Sequence, residues 1–318
     1  MGTPDFAVPS LRGLVEASEP GKVWAAGLTI AGVITRPDRP AGRGRQVAFS
    51  PVKQYALDAG LAVYQPGSLR RSESLALLRE LAPDLIIVAA FGQILPPDVL
   101  NLPATGCLNI HASLLPRWRG AAPIAAAIRE GDAETGVTIM RMEEGLDTGP
   151  IVSSRVTAIH PNETAGALTD RLAELGATLL IETLPAWLGG QMSVTPQDDA
   201  QATMTRPLRK EDGRLDWRLP ADDLARLVRA MSPWPGAFTT WNGKLLKVLD
   251  AVAIPRSASV APGVCFPWRD ADSTDVLGCA CGSGALALRV IQLEGKRALS
   301  SAELVRGHPG LSAATLGS

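Results

Sequence analysis

An amide, an imidazole and a carboxylate lie near one another in the middle of the sequence, at Asn109, His111 and Asp147. The run Leu108-Asn-Ile-His111 alternates apolar and polar residues. This alternation predicts a strand whose two polar side chains share one face, roughly 6 to 7 Å apart. Asp147 stands on a glycine-flanked predicted loop, from which its carboxylate can return to the imidazole.

The chemistry available to this set is acyl transfer. Histidine accepts a proton near neutral pH, a neighbouring carboxylate orients it, and an amide NH₂ can donate to a developing oxyanion. No Ser or Cys occupies a nucleophile elbow, which predicts direct transfer to the acceptor. The same spacing also fits a histidine with only a structural role, and the residues alone leave both interpretations open.

The elements that must position these residues follow an α/β pattern. Strand and helix signals alternate through residues 1–188, which predicts a doubly wound α/β fold with a mostly parallel sheet. Strands are predicted at 27–35, near 63, at 84–90, 108–111 and 136–142 and near 150, and helices at 9–17, 50–59, 72–81, 123–129 and 164–188. Ligands of such sheets bind beyond the carboxyl ends of the strands, where residues 91–95, 113–116 and 143–147 lie. The absence of a Gly-x-Gly-x-x-Gly fingerprint argues against a nicotinamide cofactor.

The rest of the chain is predicted to be a linker and an all-β domain. Residues 189–207 are polar and aperiodic, as linkers between domains are. In residues 208–318, a predicted helix at 221–231 precedes an Asn242-Gly243 hairpin signal and further short strands. This pattern indicates a small β-barrel.

The composition excludes several classes of protein. With 318 residues, of which 46% are hydrophobic, the chain can build two cores. Its net charge of −1 excludes bulk attraction to polyanions, although residues 208–318 carry 14 Lys and Arg against 11 Asp and Glu. Cys279-x-Cys281 lacks the second pair of a zinc knuckle, so we expect all 4 cysteines to be reduced thiols. Neither a membrane span nor a signal peptide is apparent, and we expect a cytoplasmic protein.

A basic loop follows the first predicted strand. Arg36, Arg39, Arg43 and Arg45 lie in a Pro- and Gly-rich segment that contains one acid, Asp38. Such a loop suits contact with a phosphate backbone. A solvated surface loop has the same composition, and charge alone favours that simpler interpretation.

The central motifs resemble those of the folate-dependent formyltransferases. They are Asn109-x-His111, Ser113-Leu-Leu-Pro116, Arg119-Gly120, Pro123 and Gly145-Leu-Asp-Thr-Gly149. The longer run from 113 to 124, with 131–140, is similar to members of the family that formylate methionine on initiator tRNA. The similarity extends from Gly2 to about Gly307.

The resemblance implies a Rossmann-like formyltransferase domain at 1–188, a linker at 189–207 and an OB-like β-barrel that binds tRNA at 208–318. It also implies 10-formyltetrahydrofolate as the co-substrate, no metal, initiator methionyl-tRNA as the acceptor, no membrane partner, and a monomer. Asn109, His111 and Asp147 would be catalytic. The folate pocket would use Gln93, Ile94, Leu95, Ser113, Leu114, Leu115 and Pro116. The acceptor stem would contact Arg36, Arg39, Arg43 and Arg45, with Arg43 at the first base pair of the initiator.

The resemblance also implies that a first strand is missing. In the family a hydrophobic strand precedes the turn at Gly2-Thr-Pro-Asp-Phe6, and without it we expect unpaired backbone edges and an open core. Competing interpretations are a formyltransferase for glycinamide ribonucleotide or an amino sugar, a formyltetrahydrofolate hydrolase, and a folate- or tRNA-binding protein without catalysis. The basic loop and the second domain favour an RNA acceptor, because a small acceptor needs neither.

Overall fold

The computed structural model describes residues 1–19, 27–41, 46–254, 260–270 and 274–317, with the backbone alone at 39–41 and 46–47. The chain forms two compact units. Unit 1 comprises Met1–Pro123, Glu134–Ala158 and Thr169–Thr205, and unit 2 comprises Ile124–Ala133, Ile159–Leu168 and Arg206–Ser318.

Helices and short strands alternate up to residue 205, as the sequence predicts. The helices are α1 (Val8–Ser18), α2 (Pro51–Asp58), α3 (Ser72–Leu81), α4 (Pro97–Leu100), α5 (Pro123–Glu130) and α6 (Ala165–Leu188). The strands are β1 (Val33–Ile34), β2 (Arg39–Ala41), β3 (Gln46–Ala48), β4 (Val63–Tyr64), β5 (Ile86–Val88), β6 (Cys107–His111), β7 (Arg119–Gly120), β8 (Glu134–Arg141), β9 (Ile151–Ala158) and β10 (Met204–Thr205). The strand predicted at 27–35 is thus reduced to β1.

The start of α2 is fixed by an N-cap. Ser50 accepts a hydrogen bond from Lys53 N–H at 3.2 Å, and Pro51 occupies the first turn of α2. A hydroxyl cap followed by proline satisfies one free N–H and removes the need to satisfy another.

The central sheet of unit 1 has the order β5-β6-β8-β9. β5 and β6 are parallel, whereas β6 with β8 and β8 with β9 are antiparallel. The sheet is therefore mixed, and the expected mostly parallel arrangement is wrong for this part. Only residues 142–150 connect β8 to β9, and such a short connection returns the chain antiparallel to itself.

β6 is the innermost support of the candidate site. All five of its residues are buried, because it is paired on both edges and covered by helix. A Cβ added at Gly176 of α6 would lie 2.8 Å from Ile110 Cγ2, so the helix approaches β6 closely at this glycine.

Met1 and Gly2 lie between β1 and β5 and bond to both sides. Gly2 N–H donates to Ile34 O at 3.1 Å, and Ala89 N–H donates to Met1 O at 2.9 Å. Beside them is a cavity of about 420 Å³, lined largely by apolar residues of α1, α3, β1 and β5 and by residues 27–32. Met1 also contacts β5, because its backbone N donates to Ile87 O at 2.6 Å.

Unit 2 contains the remaining elements. They are α7 (Ala221–Ala230), β11 (Ala237–Trp241), β12 (Lys244–Ile254), β13 (Cys265–Arg269), β14 (Asp275–Ala280), β15 (Ala285–Leu293), β16 (Leu299–Ser300) and α8 (Ser301–Gly307). The predicted hairpin is confirmed: Asn242 and Gly243 join β11 to β12 with φ of +49° and +72°. Two positive φ values are typical of the tight turn that Asn-Gly favours.

The unit 2 sheet is antiparallel, with the order β11-β12-β15-β14-β13 and β16 beside β15. Within the described residues β11 and β13 do not pair, so the small barrel expected from the sequence is an open sheet here. Pro267 lies in β13 and has no N–H to donate, which suits an edge strand. Across the described ranges, no helix combines the length and hydrophobicity that spanning a membrane requires.

Candidate active site

Asn109 and His111 lie on β6, two residues apart, as the alternation predicts. Their exposed fractions are 9% and 6%. The Asn109 carboxamide has no hydrogen-bond partner among the residues that the structure describes. The Asn109 carboxamide is not among the described fully buried side-chain groups that lack a partner, so its polar atoms remain accessible. The NH₂ group of Asn109 is therefore available to donate a hydrogen bond to a ligand.

The imidazole of His111 has a defined orientation. Its Nε2 lies 3.0 Å from Trp118 O. A carbonyl only accepts, so Nε2 carries a proton in this arrangement. Nδ1 faces Asp147, with 3.7 Å between Nδ1 and Oδ2. That separation is too long for a hydrogen bond, but it is short enough to stabilise a proton taken up at Nδ1.

Asp147 is fixed by its loop. Its φ is +55°, an uncommon conformation for a residue with a side chain. Its Oδ2 accepts a hydrogen bond from Gly120 N–H at 2.8 Å. A Cβ added at Gly149 would lie 1.8 Å from Arg141 O, so this position requires glycine. The loop thus holds the carboxylate close to the imidazole.

Thr138 of β8 braces the loop after β6. Its Oγ1 donates to Ser113 O at 2.7 Å and accepts from Leu115 N–H at 3.1 Å. Ser113 is fully buried, and its hydroxyl donates to Arg117 O at 2.6 Å. Ser113 therefore shapes the loop, while Leu114 and Pro116 keep accessible surface.

The segment predicted as a linker also braces the site. Gln197 Nε2 donates to Asp147 O at 2.8 Å and to Gly149 O at 2.6 Å, and its Oε1 accepts from Arg119 Nε at 2.9 Å. Thr203 Oγ1 accepts from Trp118 N–H at 2.8 Å. These contacts tie the Asp147 loop to the Trp118 loop.

Sequence reasoning missed Thr138, Gln197 and Thr203. Thr138 is one of several polar residues on an alternating strand, and nothing in its spacing marks it. Residues 197 and 203 lie in an aperiodic segment whose partners are far along the chain. These two residues could have been found only by knowing that β7 pairs with β10, in which Arg119 lies opposite Met204.

Two predicted pocket segments carry exposed apolar side chains. Ile94 is 74% exposed and Leu146 is 53% exposed. The Gln93 side chain is already used, because its Oε1 accepts from Leu69 N–H at 3.2 Å and its Nε2 donates to Pro66 O at 3.2 Å. Gln93 can therefore offer a ligand its backbone, whereas its side chain positions the neighbouring loop. Leu95 is buried in the core beneath.

The predicted tRNA contacts are only partly described. Arg43 and Arg45 lie outside the described residues, and only the backbone of Arg39 is described, within β2. Arg36 is half-buried, and its guanidinium approaches Gly92, where an added Cβ would lie 3.3 Å from its Nη1.

A network of polar side chains lies beyond the ends of β1 and β4. Lys53 bonds to Asp38 and to Gln65 Oε1, the latter at 2.8 Å. The hydrogen bond from Lys53, with that from Gln65, holds the pKa of Asp38 below its ordinary value of 3.8. Burial raises the pKa of the Cys107 thiol to about 12, so this cysteine of β6 is not a nucleophile. Within the described ranges no group of three or more His, Cys, Asp or Glu side chains is arranged to hold a metal.

Comparison with known proteins agrees with the fold and the motifs. Residues 13–184 match the family described as "Formyl transferase", and residues 207–309 match "Formyl transferase, C-terminal domain". The chain is 47% identical over 306 residues to a methionyl-tRNA formyltransferase of Marinobacter nauticus, covering 96% of this chain and 94% of that protein. It is 47% identical over 308 residues to the methionyl-tRNA formyltransferase of Myxococcus xanthus, covering 97% and 94%.

A solved structure shares the fold at low identity. The sugar 3N-formyl transferase WlaRD, solved in the presence of dTDP and 5-N-formyl-THF, aligns with a TM-score of 0.64 and 16% identity. The alignment covers 93% of this chain and 97% of that one.

Proposed function

The chain belongs to the formyl transferase family, and we propose that it transfers a formyl group from 10-formyltetrahydrofolate to the α-amino group of methionyl initiator tRNA. The similarity to methionyl-tRNA formyltransferases spans almost the whole chain, which supports this acceptor over a small molecule. We also propose that the protein works as a monomer in the cytoplasm, where initiator tRNA is charged and used in translation initiation.

One observation supports the catalytic assignment above all others. The Asn109 carboxamide lacks a protein partner among the described residues and shares a strand with His111, whose Nδ1 faces Asp147. An unpartnered amide next to a proton acceptor is the arrangement that a tetrahedral oxyanion requires.

The reaction proceeds by direct attack. The methionine amine forms a C–N bond to the formyl carbon, and the carbonyl oxygen becomes an oxyanion. The Asn109 NH₂ donates to this oxyanion, because the donor is already in place and has no competing partner. The intermediate collapses by breaking the bond between the formyl carbon and N10 of the folate.

His111 handles the proton. The attacking amine must lose a proton, and the unprotonated Nδ1 of His111 receives it directly or through a water. Asp147 then stabilises the imidazolium across 3.7 Å. The proton passes to N10 of the folate as tetrahydrofolate leaves, so that His111 returns to its starting state.

The folate donor occupies the segments at 93–95, 113–116 and 143–147. Backbone groups of Gln93–Leu95 and of the 143–147 loop bond the edge of the pterin ring. The exposed side chains of Ile94 and Leu146 lie in two of these segments, and an apolar ring face would remove them from water. The Thr138 brace keeps the Ser113–Pro116 loop in one conformation before the folate arrives.

The RNA acceptor is recognised by residues other than the catalytic Asn109, His111 and Asp147. The basic segment that contains Arg36, Arg39, Arg43 and Arg45 contacts the acceptor stem, and unit 2 supplies further RNA contacts. Replacing Arg43 with alanine raises KM for initiator tRNA and leaves KM for the folate unchanged. Equal increases for both substrates would oppose a role of the loop in RNA recognition.

Formylation assays test the whole proposal. The protein is incubated with 10-formyltetrahydrofolate and either initiator or elongator tRNA charged with methionine, and formylmethionine is quantified after hydrolysis of the ester. We expect formylation of the initiator and little of the elongator. Formate released without tRNA would indicate a hydrolase, and formylation of glycinamide ribonucleotide or an amino sugar in place of tRNA would indicate a small-molecule enzyme.

A further inference from the structure

Trp234 is an exposed aromatic residue of unit 2 that the proposed mechanism does not use. Its side chain is 60% exposed, whereas every other tryptophan among the described residues is buried or half-buried. An exposed indole is costly in water and is enriched at surfaces that bind partners. The residue lies just beyond the carboxyl end of α7.

The loop that carries Trp234 is closed at both ends. Gly236 N–H donates to Met231 O at 2.8 Å, and Gly166 N–H donates to Ser232 O at 2.9 Å. Prolines precede and follow the tryptophan and fix two φ angles. The indole is therefore presented by an ordered backbone, and little conformational entropy is lost when a ligand covers it.

A second segment packs against this loop. A Cβ added at Gly213 would lie 2.1 Å from Gly236 O, which is a close approach of two backbones. Two residues further along, Leu215 N–H donates to Phe238 O at 2.8 Å. The segment 206–214 is thus held beside the Trp234 loop by backbone contacts within unit 2.

This second segment carries a net positive charge, because residues 206–214 contain four Arg and Lys against two Asp and Glu. Arg209, Lys210 and Arg214 are exposed, and none of them forms an ion pair within 4.0 Å with any described residue. Three acids lie close in sequence, Glu211, Asp212 and Asp216, of which Asp212 is paired with Arg206 and Asp216 with Arg218. The ion pair with Arg206 lowers the pKa of Asp212 to about 2, so Asp212 remains charged and engaged at neutral pH.

We infer that Trp234 stacks on an unpaired base of the RNA acceptor while Arg209, Lys210 and Arg214 hold the adjoining phosphates. An ordered aromatic face beside unpaired cations is the combination that binds single-stranded nucleic acid. Every base has a π-face, so the contact needs an unpaired nucleotide without selecting its sequence. The inference rests on the proposed RNA acceptor and adds to it a base contact in unit 2.

The test compares Trp234→Ala with Trp234→Phe. Alanine removes the ring, whereas phenylalanine keeps an aromatic face in the same place. We expect Trp234→Ala to weaken binding of single-stranded poly(rA) and to raise KM for initiator methionyl-tRNA by about 5- to 150-fold, the usual effect of losing one stacked base. We expect Trp234→Phe to stay within a few-fold of the parent protein, and kcat and KM for the folate to be unchanged in both.

Two controls and one charge variant separate stacking from charge and from a general loss of structure. Leu249→Ala truncates another exposed apolar residue of unit 2, which is 36% exposed, and should leave RNA binding unchanged. An oligonucleotide with the same phosphates and abasic sugars should bind the parent protein and Trp234→Ala equally. Arg214→Gln should weaken poly(rA) binding and reduce its dependence on salt, because one phosphate contact is lost.

The inference is overturned if Trp234→Ala binds poly(rA) and initiator tRNA as the parent does, or if the loss persists with the abasic oligonucleotide. An equal loss for Trp234→Phe and Trp234→Ala would also overturn it, because the aromatic face would then be irrelevant. Failure of the proposed function looks different, since the parent protein itself would then not formylate initiator tRNA.

Discussion

Two regions of unit 1 are built differently. On one side β6 is paired with β5 and β8, has five buried residues and carries Asn109 and His111. On the other side β1 and β4 pair only with each other, and Met1 and Gly2 connect them to β5 beside a cavity of about 420 Å³. The same domain therefore contains a fully supported half and an incompletely packed half.

This difference in packing predicts that catalysis and the stability of unit 1 depend on different residues. The hydrogen bonds that hold the site lie on the supported side: Thr138 bonds to Ser113, and Gln197 and Gly120 bond to Asp147. None of these contacts passes through β1 or the cavity. Variants of the two regions should therefore change different quantities.

The largest expected effect is on turnover. Asn109→Ala removes the unpartnered amide and should lower kcat by about 10²- to 10³-fold, the usual cost of one oxyanion donor. The urea midpoint should hardly change, because the side chain makes no hydrogen bond to a described residue. Single-turnover formylation with saturating folate measures the effect.

Asn109→Asp is the matched control, since it keeps the size and removes the NH₂ donor. It should lose as much activity as alanine does. Near-normal turnover for either variant would show that the oxyanion is stabilised elsewhere and would weaken the contrast between the two halves.

The second effect is on the free energy of unfolding, which we compare between truncations of two leucines. Leu108 of β6 is completely buried, and Leu14 of α1 borders the cavity with 9% exposure. Leu108→Ala should cost about 4 kcal/mol and Leu14→Ala about 2 kcal/mol, within the known range for such truncations, because Leu14 has fewer contacts to lose.

Urea unfolding followed by a probe in unit 1 measures both costs, with equal m values as the check on comparability. Equal losses for the two leucines would show that the cavity side is packed as tightly as β6. The contrast drawn from the cavity would then be wrong.

The sequence predicts the supported half better than the other half, for physical reasons. The alternation at Leu108–His111 and the glycines around Asp147 are local signals, and they correctly indicated a strand end and a tight loop. The direction of β8 and β9 was missed, because short apolar runs carry no information about strand polarity. Gln197 and Thr203 were missed because their partners lie 48 or more residues away in sequence, and no periodicity marks such contacts.

The same reasoning applies to unit 2. Its hairpin was predicted from Asn242-Gly243, because that dipeptide accepts two positive φ values. Whether a sheet closes depends on pairing between strands that are distant in sequence, and this was not readable from the residues. The expected barrel is accordingly an open sheet in the described residues.

The third effect is expected at the Ser113–Pro116 loop, which we propose to be part of the folate pocket. Thr138→Val keeps the shape of the side chain but leaves Ser113 O and Leu115 N–H without their partner. The cost should be about 1 to 3 kcal/mol for unsatisfied buried groups, with a higher KM for the folate and a smaller change in kcat. Urea unfolding and steady-state kinetics measure the two effects.

Thr183→Val provides the comparison, because Thr183 is also buried and its hydroxyl bonds to Ser153 Oγ and Leu179 O, away from the site. It should lower stability without changing KM for the folate. A similar rise in KM for both variants would indicate a general loss of rigidity in unit 1 rather than a specific brace.

The smallest effect is expected at the weakly supported side and depends on pH. Asp38 follows β1 and is bonded by Lys53 and by Gln65, which follows β4, and these bonds lower its pKa below 3.8. A lowered carboxylate pKa stabilises the fold above the unfolded value of 3.8, and this contribution disappears as the pH falls through the lowered pKa. Asp38→Asn should therefore lower the urea midpoint slightly at neutral pH and match the parent protein in strong acid. A difference that grows as the pH falls below 3.8 would contradict this, because the ion pair would then not be what holds the ends of β1 and β4 together.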